Sequence, residues 1–224
     1  MEKSRCSQIH CSHTVRPDHP QQERRQPCGT PLLHEVTFSH KENLFYPQYT
    51  YCYNSIVQSL SDLLSRPGIP EQLELWRHRS VPSGHLGDVY DGKIWKEFEA
   101  ISDGFSLSKP RHYAGILNVD WFQPFKNGTT SVGVIYLALM NFPRYLRFKR
   151  QNVLLVGIIP AVKSEPASLN TFLKPLVDEL KAMWEDGVLL TTSQSPTFRL
   201  QHRLALLCVS CDIPAYYQLP AYCK

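Results

Sequence analysis

The chain has 224 residues, 42% of them hydrophobic and 20% charged, with a net charge of +4. This composition is ordinary for a globular protein, so it excludes a disordered chain, and the length suffices for one core plus an appendage. The charge is compatible with nucleic acid but is too small to indicate it alone.

Cysteine usage and the apolar stretches predict a soluble intracellular protein. The seven cysteines are odd in number and irregularly spaced, and the chain begins with the polar run MEKSR rather than a secretory signal. The most apolar stretch, residues 153–162, is about half of the ~20 residues that a membrane helix requires. We therefore expect no membrane partner.

Residues 1–48 form a Cys/His-containing segment with little apolar periodicity, which cannot form a core unaided. Cys6, Cys11 and His13, with Cys28 further on, provide enough soft ligands for one Zn²⁺. The spacings fit no standard zinc finger, and His10 competes with His13. The alternatives are a zinc-ribbon remnant and a degenerate or mobile tail.

Residues 49–105 are predicted to be a helical region. Apolar residues recur at intervals of three and four over residues 49–66, and Pro67-Gly68 ends that helix. Cys52 would belong to its core face. We expect a second helix over residues 70–79 and a third over residues 88–101, where Trp95 and Phe98 lie on one stripe and pack inward.

Residues 106–224 alternate strands with a long helix. Strands are predicted at residues 113–120, 131–140, 152–159 and 203–212, and a helix at residues 169–185 despite Pro175. The middle two strands are near-continuous Val, Ile and Leu, the pattern of strands buried on both faces. Three strands, a helix and a central strand indicate a mixed α/β fold.

Two acids, Asp120 and Asp212, each stand where an apolar strand leaves the sheet. Two carboxylates side by side repel each other unless cations lie between them, and Mg²⁺ is held by one or two carboxylates together with water and phosphate oxygens. The pair therefore predicts a divalent-metal site. The alternative is that each Asp merely begins a turn, since strands often end in this residue.

Basic, aromatic and thiol side chains near these strands have two interpretations each. Lys126 and the cluster Arg144, Arg147, Lys149 and Arg150 are candidates for DNA phosphate contacts, although a charge run in a turn is usually only solvated. Trp121 and Phe122, directly after Asp120, could stack on bases or pack. Cys208 and Cys211 face opposite sides of a strand, so we expect buried thiols rather than a chelating pair.

Eight short strings in chain order resemble CACTA (En/Spm-like) DNA transposases. They are CGTPLL (28–33), DVYDGKIWKEF (88–98), LNVDWFQPF (117–125), SVGVIY (131–136), NFPR (141–144), GIIP (157–160), FLKPLVDEL (172–180) and DIPA (212–215). The resemblance implies an RNase H-like fold with three catalytic acids, of which Asp120 matches the first and Asp212 the second. It also implies Mg²⁺ or Mn²⁺, transposon-end DNA as the partner, a nuclear location and a zinc-binding stretch that closes near Cys28.

Beyond Ala215 the resemblance stops, and no Asp or Glu follows Asp212. The family's third acid lies on a later helix, so we expect an incomplete RNase H-like domain with lost or crippled catalysis. The alternative is a non-enzymatic, domesticated DNA- or protein-binding module; a zinc-dependent adaptor built on residues 1–48 explains less of the chain. The oligomeric state stays open.

Overall fold

The structure, a computed structural model, describes residues 10–11, 20–21, 28–36, 44–48, 50–80, 82, 84–102, 104–126, 130–160 and 169–211. The chain divides into two compact units, residues 1–50 and residues 51–224. Each unit is described by itself.

The first unit contains a two-stranded antiparallel sheet that the sequence pattern did not predict. Strand β1 (Leu33–Val36) pairs with β2 (Leu44–Pro47), and the rings of His34 and Tyr46 stack across the pair with centroids 5.9 Å apart. A separate antiparallel bridge joins His10 to Pro31. Phe45 and Tyr46 remain exposed. Backbone pairing rather than an apolar face therefore defines these strands, which explains why periodicity gave no signal.

The second unit is built on a six-stranded mixed sheet, which confirms the α/β fold class. Its strands are β3 (Cys52–Tyr53), β4 (His112–Phe122), β5 (Val132–Leu139), β6 (Val153–Ile159), β7 (Val188–Leu190) and β8 (Leu200–Cys211), in the spatial order β3-β6-β5-β4-β8-β7. All neighbours are antiparallel except β4 and β8, which run parallel. The four predicted strands are confirmed, and β8 lies inside the sheet.

Six α-helices are described: α1 (Ile56–Leu64), α2 (Ile69–Glu74), α3 (Lys93–Lys96), α4 (Phe98–Ile101), α5 (Arg144–Arg147) and α6 (Asn170–Glu185). The long α6 confirms the predicted helix, Pro175 included. It crosses from β6 towards β8, and such a crossover is what a parallel strand pair requires. Among the described helices, none combines the length and apolar character that crossing a bilayer demands.

Two predicted helices differ from the structure. The first begins at Ile56 because Ser55 caps it and Cys52–Tyr53 joins the sheet edge as β3. The predicted helix over residues 88–101 is broken into a 3₁₀ turn (Val89–Asp91), α3 and α4. Gly92 is extended, with ψ at 154°, so the chain leaves helical geometry after the turn.

Helices α1 and α6 pack on one face of the sheet and form the main core. The predicted stripe of α1 is confirmed: Ile56, Leu60, Leu63 and Leu64 are at most 1% exposed. A carboxylate of α6 caps the start of α1, since Glu179 Oε2 accepts hydrogen bonds from the Ile56 and Val57 amides at 2.8 and 3.2 Å. This ion–dipole contact ties the two helices together.

Within the described part of the chain, the opposite face of the sheet is covered only in part. Near the start of β4 a second, mostly aromatic cluster packs on it; its buried members include Tyr90, Trp95, Phe98 and Phe105. Trp95 and Phe98 are 5% and 7% exposed, which confirms that they pack rather than stack on a ligand. Further along the strands this face carries exposed apolar side chains, and the candidate site lies there.

Candidate functional site

Asp120 lies near the end of β4 and is directed by the alternation of that strand. Its neighbours Leu117 and Val119 are at most 1% exposed in the main core, so Asp120 points to the opposite face, where it is exposed. Its Oδ1 accepts a hydrogen bond from the Trp121 amide at 2.9 Å. Within the part of the chain that the structure describes, Oδ2 has no hydrogen-bond partner. The carboxylate is therefore held on a strand that the core fixes in place, and it is accessible from outside.

The end of β8 lies beside Asp120. Val119 pairs with Cys211 and Asn118 with Ser210 in parallel register, and the Asn118 side-chain amide donates to the Ser210 carbonyl at 3.1 Å. Asp212, the second predicted acid, lies outside the described residues. Cys211, which precedes Asp212, is thus the cross-strand neighbour of Val119, which precedes Asp120.

A β-bulge sets this register. Before it Gly115 pairs with Leu206, and after it Ile116 pairs with Cys208, so β8 contains one extra residue, Leu207. The bulge turns Ser210 to the face of Asn118 and Asp120, whereas without it Ser210 would face the core. Sequence periodicity did not indicate the bulge, because a single inserted apolar residue is invisible in an apolar run.

The face that carries Asp120 also carries a groove of about 730 Å³. Asn118 and Ser210 line it on β4 and β8, and Tyr136 and Leu155 line it on the two strands beyond. Phe148 and Arg150, from the connection between β5 and β6, complete it. Tyr136 is the cross-strand neighbour of Asn118, and Val134 that of Asp120. The groove and Asp120 therefore lie next to each other on the same face of the sheet.

Four of the five basic residues predicted to contact DNA are exposed: Lys126, Arg144, Lys149 and Arg150. Arg150 lines the groove, whereas Arg144 lines a smaller pocket of about 350 Å³ together with Arg79 and Tyr145. Their role as DNA contacts stays a prediction.

Arg147, the fifth, is buried, and this corrects its expected role as a DNA contact. Its Nη2 donates to Asp88 Oδ1 at 2.7 Å and to Tyr90 Oη at 3.0 Å, and both Nε and Nη2 donate to the Phe142 carbonyl. The Arg147 and Asp88 side chains are only 5% and 9% exposed. Burial raises the pKa of Tyr90 to about 12, against a smaller lowering from Arg147, so its phenol stays neutral. Arg147 thus holds the segment before α3 onto the sheet.

A second carboxylate in this segment organises the turn around it. Asp91 Oδ2 accepts from Arg79 at 2.9 Å and from the Gly87 and Asp88 amides at 2.8 Å each. The hydrogen bond from Arg79, followed by those from the two amides, lowers the pKa of Asp91. The carboxylates of Asp88 and Asp91 are thus both engaged in hydrogen bonds within the protein, so neither is a candidate metal ligand.

The two aromatic residues after Asp120 diverge. Trp121 packs against the main core and lies over Gly133, where an added Cβ would come within 2.9 Å of its ring. Phe122 lies on the Asp120 face and is 48% exposed. Of these two residues, only Phe122 has an exposed ring on which a base could stack.

In the first unit, the predicted zinc ligands Cys11 and Cys28 come together. The Cys11 amide donates to the Thr30 carbonyl at 2.9 Å, and the Gly29 amide donates to the Cys11 carbonyl at 3.1 Å. Hydrogen bonds with the Thr30 side chain and backbone, and a weaker one with Cys11, lower the pKa of the Cys28 thiol. Cys6 and His13 lie outside the described residues. Among the residues that are described, no three His, Cys, Asp or Glu side chains converge.

The expectation of buried thiols elsewhere is wrong for two cysteines. Cys52 and Cys208 are exposed, and Cys211 is half-buried. Cys52 pairs with Ile158, and Cys208 follows the bulge and pairs with Ile116. Both therefore lie on the incompletely covered face of the sheet, which the sequence pattern did not anticipate.

A buried Tyr–His pair near the start of β4 was not predicted from the sequence. The Tyr113 hydroxyl lies 3.0 Å from His202 Nδ1, the rings stack at 5.8 Å, and His202 is 1% exposed. Burial lowers the pKa of His202 to about 4, with a smaller contribution from Arg111, so the imidazole is neutral. The partners are 89 positions apart, so no local pattern links them.

The chain was compared with curated proteins, with solved structures and with models of protein families. No curated protein and no solved structure gives a match. Residues 83–223 match the family model described as "Transposase family tnp2". Because the match covers more than half of the 224 residues, the chain belongs to this transposase family.

Proposed function

We propose that this chain derives from a metal-dependent, DNA strand-cleaving transposase of the CACTA (En/Spm-like) kind, with an RNase H-like arrangement. In this proposal Asp120 and Asp212 would hold Mg²⁺ or Mn²⁺, and the substrate is DNA in the nucleus, with transposon ends as the specific target. The observation that carries it is the exposed, rigidly based carboxylate of Asp120 in a transposase family member, beside a parallel strand whose register favours a second acid.

The parallel register supports a shared site for the two acids. Paired residues of parallel strands direct their side chains to the same face, as Asn118 and Ser210 do, and continuing the register by one residue would match Asp120 with Asp212. Strands lie about 4.8 Å apart, a separation at which two carboxylates can ligate common cations.

The donor chemistry at Asp120 fits a hard divalent cation. Its Oδ1 is held by the Trp121 amide, which leaves Oδ2 to ligate. When bound, Mg²⁺ or Mn²⁺ would activate the attacking water and neutralise charge on the phosphoryl group. The chain's own contribution is to fix the carboxylate on a strand whose other face is core, so that its position does not depend on a mobile loop.

DNA would be held by the exposed basic residues: Lys126, six residues after Asp120 in the sequence, and Arg144, Lys149 and Arg150 between β5 and β6. Each contact with a phosphate releases about one counterion, so removing one should reduce the salt dependence of DNA binding by roughly one unit of log–log slope. Replacing Arg150 by Gln tests this for the residue that also lines the groove.

Plasmid nicking tests the catalytic part. We propose that catalysis is incomplete in this chain, and whatever relaxation of supercoiled DNA it retains should depend on Mg²⁺ or Mn²⁺ and fall roughly 100-fold or more in Asp120→Asn and in Asp212→Asn. Asp178→Asn, an exposed acid of α6, is the matched control and should retain the wild-type rate. Nicking that persists in Asp120→Asn would refute the assignment.

Calorimetry with Mn²⁺ separates the metal site from turnover. The wild-type chain and Asp178→Asn should release or absorb the same heat, whereas Asp120→Asn and Asp212→Asn should show no binding. Wild-type protein that neither nicks DNA nor binds Mn²⁺ would exclude the metal site for this chain.

A non-enzymatic DNA-binding module is the second candidate, favoured by the exposed basic residues, which need no catalysis to act. Duplex binding in EDTA without nicking in Mg²⁺ or Mn²⁺ would identify it. Nicking that depends on both acids would exclude it.

We propose further that the first unit binds one Zn²⁺ through Cys11 and Cys28, with Cys6 and His13 as the remaining ligands. The contact between the Cys11 and Cys28 side chains and the lowered pKa of Cys28 support it, because zinc binds the thiolate. Elemental analysis should find about one zinc per chain in the wild type and in the control Cys52→Ser, and little in Cys11→Ser or Cys28→Ser. Full zinc content in the last two would contradict the site.

A further inference from the structure

The groove beside Asp120 is more apolar than the exposed face of a sheet usually is. Tyr136 and Leu155 on its floor are 38% and 39% exposed, and Phe148 on its wall is 62% exposed. Grouped exposed apolar side chains in a concavity mark a binding surface more often than a free one. A groove of about 730 Å³ is large enough for one or two nucleosides.

The charge around the groove selects an anionic occupant. Arg150 lines it, and Lys149, the preceding residue, is exposed. None of the described residues that line the groove is acidic. The polar side chains of Asn118 and Ser210 lie at the end nearest Asp120. An occupant would therefore meet aromatic faces along its length, a cation at one side and amide or hydroxyl groups at the other.

The groove leads directly to the acid. Asn118 precedes Asp120 by two residues on the same face of β4, a separation of roughly 7 Å along a strand. Tyr136 and Val134 are the corresponding cross-strand neighbours on β5. One nucleotide step along an extended strand is about as long, so a nucleotide in the groove places the next phosphate near Asp120.

We propose that this groove binds the bases of an unpaired DNA strand next to the phosphate that Asp120 addresses, with Phe148 and Tyr136 stacking on bases and Arg150 contacting phosphate. Duplex DNA hides its ring faces in the base stack, so only a single-stranded or frayed segment can use the aromatic side chains. This proposal rests on the role of Asp120 proposed above and names the form of DNA that the site takes.

Fluorescence anisotropy in EDTA tests the groove without metal or cleavage. The probes are a labelled oligothymidine of roughly 12 nucleotides, the same strand annealed to its complement, and an abasic strand of equal length. Phe148→Ala should weaken binding of oligothymidine by about 5- to 150-fold and leave binding of the abasic strand unchanged. Arg150→Gln should weaken both single strands, because it removes a phosphate contact.

Two exposed residues outside the groove serve as matched controls. Phe198→Ala and Arg199→Gln, from the loop before β8, should bind all three probes as the wild type does. Since Phe148 is 62% exposed, its variant should unfold at the wild-type denaturant concentration, which is measured alongside. Binding in EDTA also separates the two proposals: oligothymidine binding that survives in Asp120→Asn while nicking fails in the wild type supports the groove alone.

Three results would overturn the proposal. Unchanged oligothymidine binding in both Phe148→Ala and Arg150→Gln would exclude the groove. Equal losses on oligothymidine and on the abasic strand in Phe148→Ala would exclude base stacking. Self-association in sedimentation that disappears in Phe148→Ala, with oligothymidine binding unchanged, would show that a second copy of the chain occupies the groove.

Discussion

Replacing Arg147 by Met should destabilise the second unit by about 3–5 kcal/mol, because it leaves the Asp88 carboxylate buried without its partner. The two side chains are 5% and 9% exposed and lie 2.7 Å apart. The variant also removes donors to the Phe142 carbonyl and to Tyr90 Oη. Since domains are stable by only about 5–15 kcal/mol, the loss is a large share of the total.

Equilibrium unfolding in urea, followed by tryptophan fluorescence, measures this loss. Trp76 and Trp95 report on the region directly, because their rings lie 5.3 and 5.0 Å from that of Tyr90. The control is Lys93→Met, which breaks an exposed ion pair and should change the unfolding free energy by under about 0.5 kcal/mol.

A double variant shows whether charge burial causes the loss. Asp88→Asn keeps an oxygen to cap the Val89 amide but removes the charge, so Arg147→Met combined with Asp88→Asn should lose less stability than Arg147→Met alone. A change in Arg147→Met as small as in Lys93→Met, together with weakened DNA binding, would refute the structural role and restore Arg147 as a DNA contact.

Two further predictions concern stability. Glu179→Gln should cost about 1 kcal/mol, because the carboxylate caps two amides at the start of α1, and urea unfolding should show no comparable change in the exposed control Asp178→Asn. The second concerns pH. The pKa of His202 is about 4 in the fold and 6.5 ordinarily, so the unfolded chain takes up its proton first; its contribution is complete above pH 6.5 and is lost as pH falls towards 4. Unfolding free energies across this range should depend less on pH in His202→Gln, with a remainder from His112, whose pKa burial also lowers. An unchanged slope in that variant would contradict the buried neutral imidazole.

The central strands and α6 could be predicted because their signals are local. Runs of Val, Ile and Leu identify β5 and β6, and the spacing of Leu173, Leu176 and Leu180 identifies the buried stripe of α6. β3 could not be predicted, because Cys52 and Tyr53 become a strand only by pairing with residues 157–158 of β6. A pairing over about a hundred positions leaves no trace in local periodicity.

The basic cluster shows the same limit at the level of single side chains. Arg144, Arg147, Lys149 and Arg150 are equivalent in sequence, yet only Arg147 is buried. Its partner Asp88 is 59 positions earlier, so nothing near Arg147 in the sequence distinguishes it. The basic spacing predicted a charged region, and tertiary contacts decide which of its members remain available to DNA.

The direction of Asp120 follows from the core itself. Side chains of a strand alternate between faces, so a slip of one residue would turn Asp120 into the space of Val119 and expose Leu117, at the cost of a buried carboxylate and lost apolar burial. On β8 the bulge at Leu207 performs the matching adjustment: it directs Val209 and Cys211 to the core and Ser210 to the face of Asp120. Deleting Leu207 would remove the extra residue and leave a regular strand, in which Leu206 still pairs with Gly115 and Cys208 with Ile116, so the register with β4 and the core packing of Val209 and Cys211 should both be kept. We expect the shortened chain to fold, to keep the hydrogen bond between Asn118 and Ser210, and to bind Mn²⁺ in calorimetry as the wild type does; loss of that binding would contradict this assignment of the bulge.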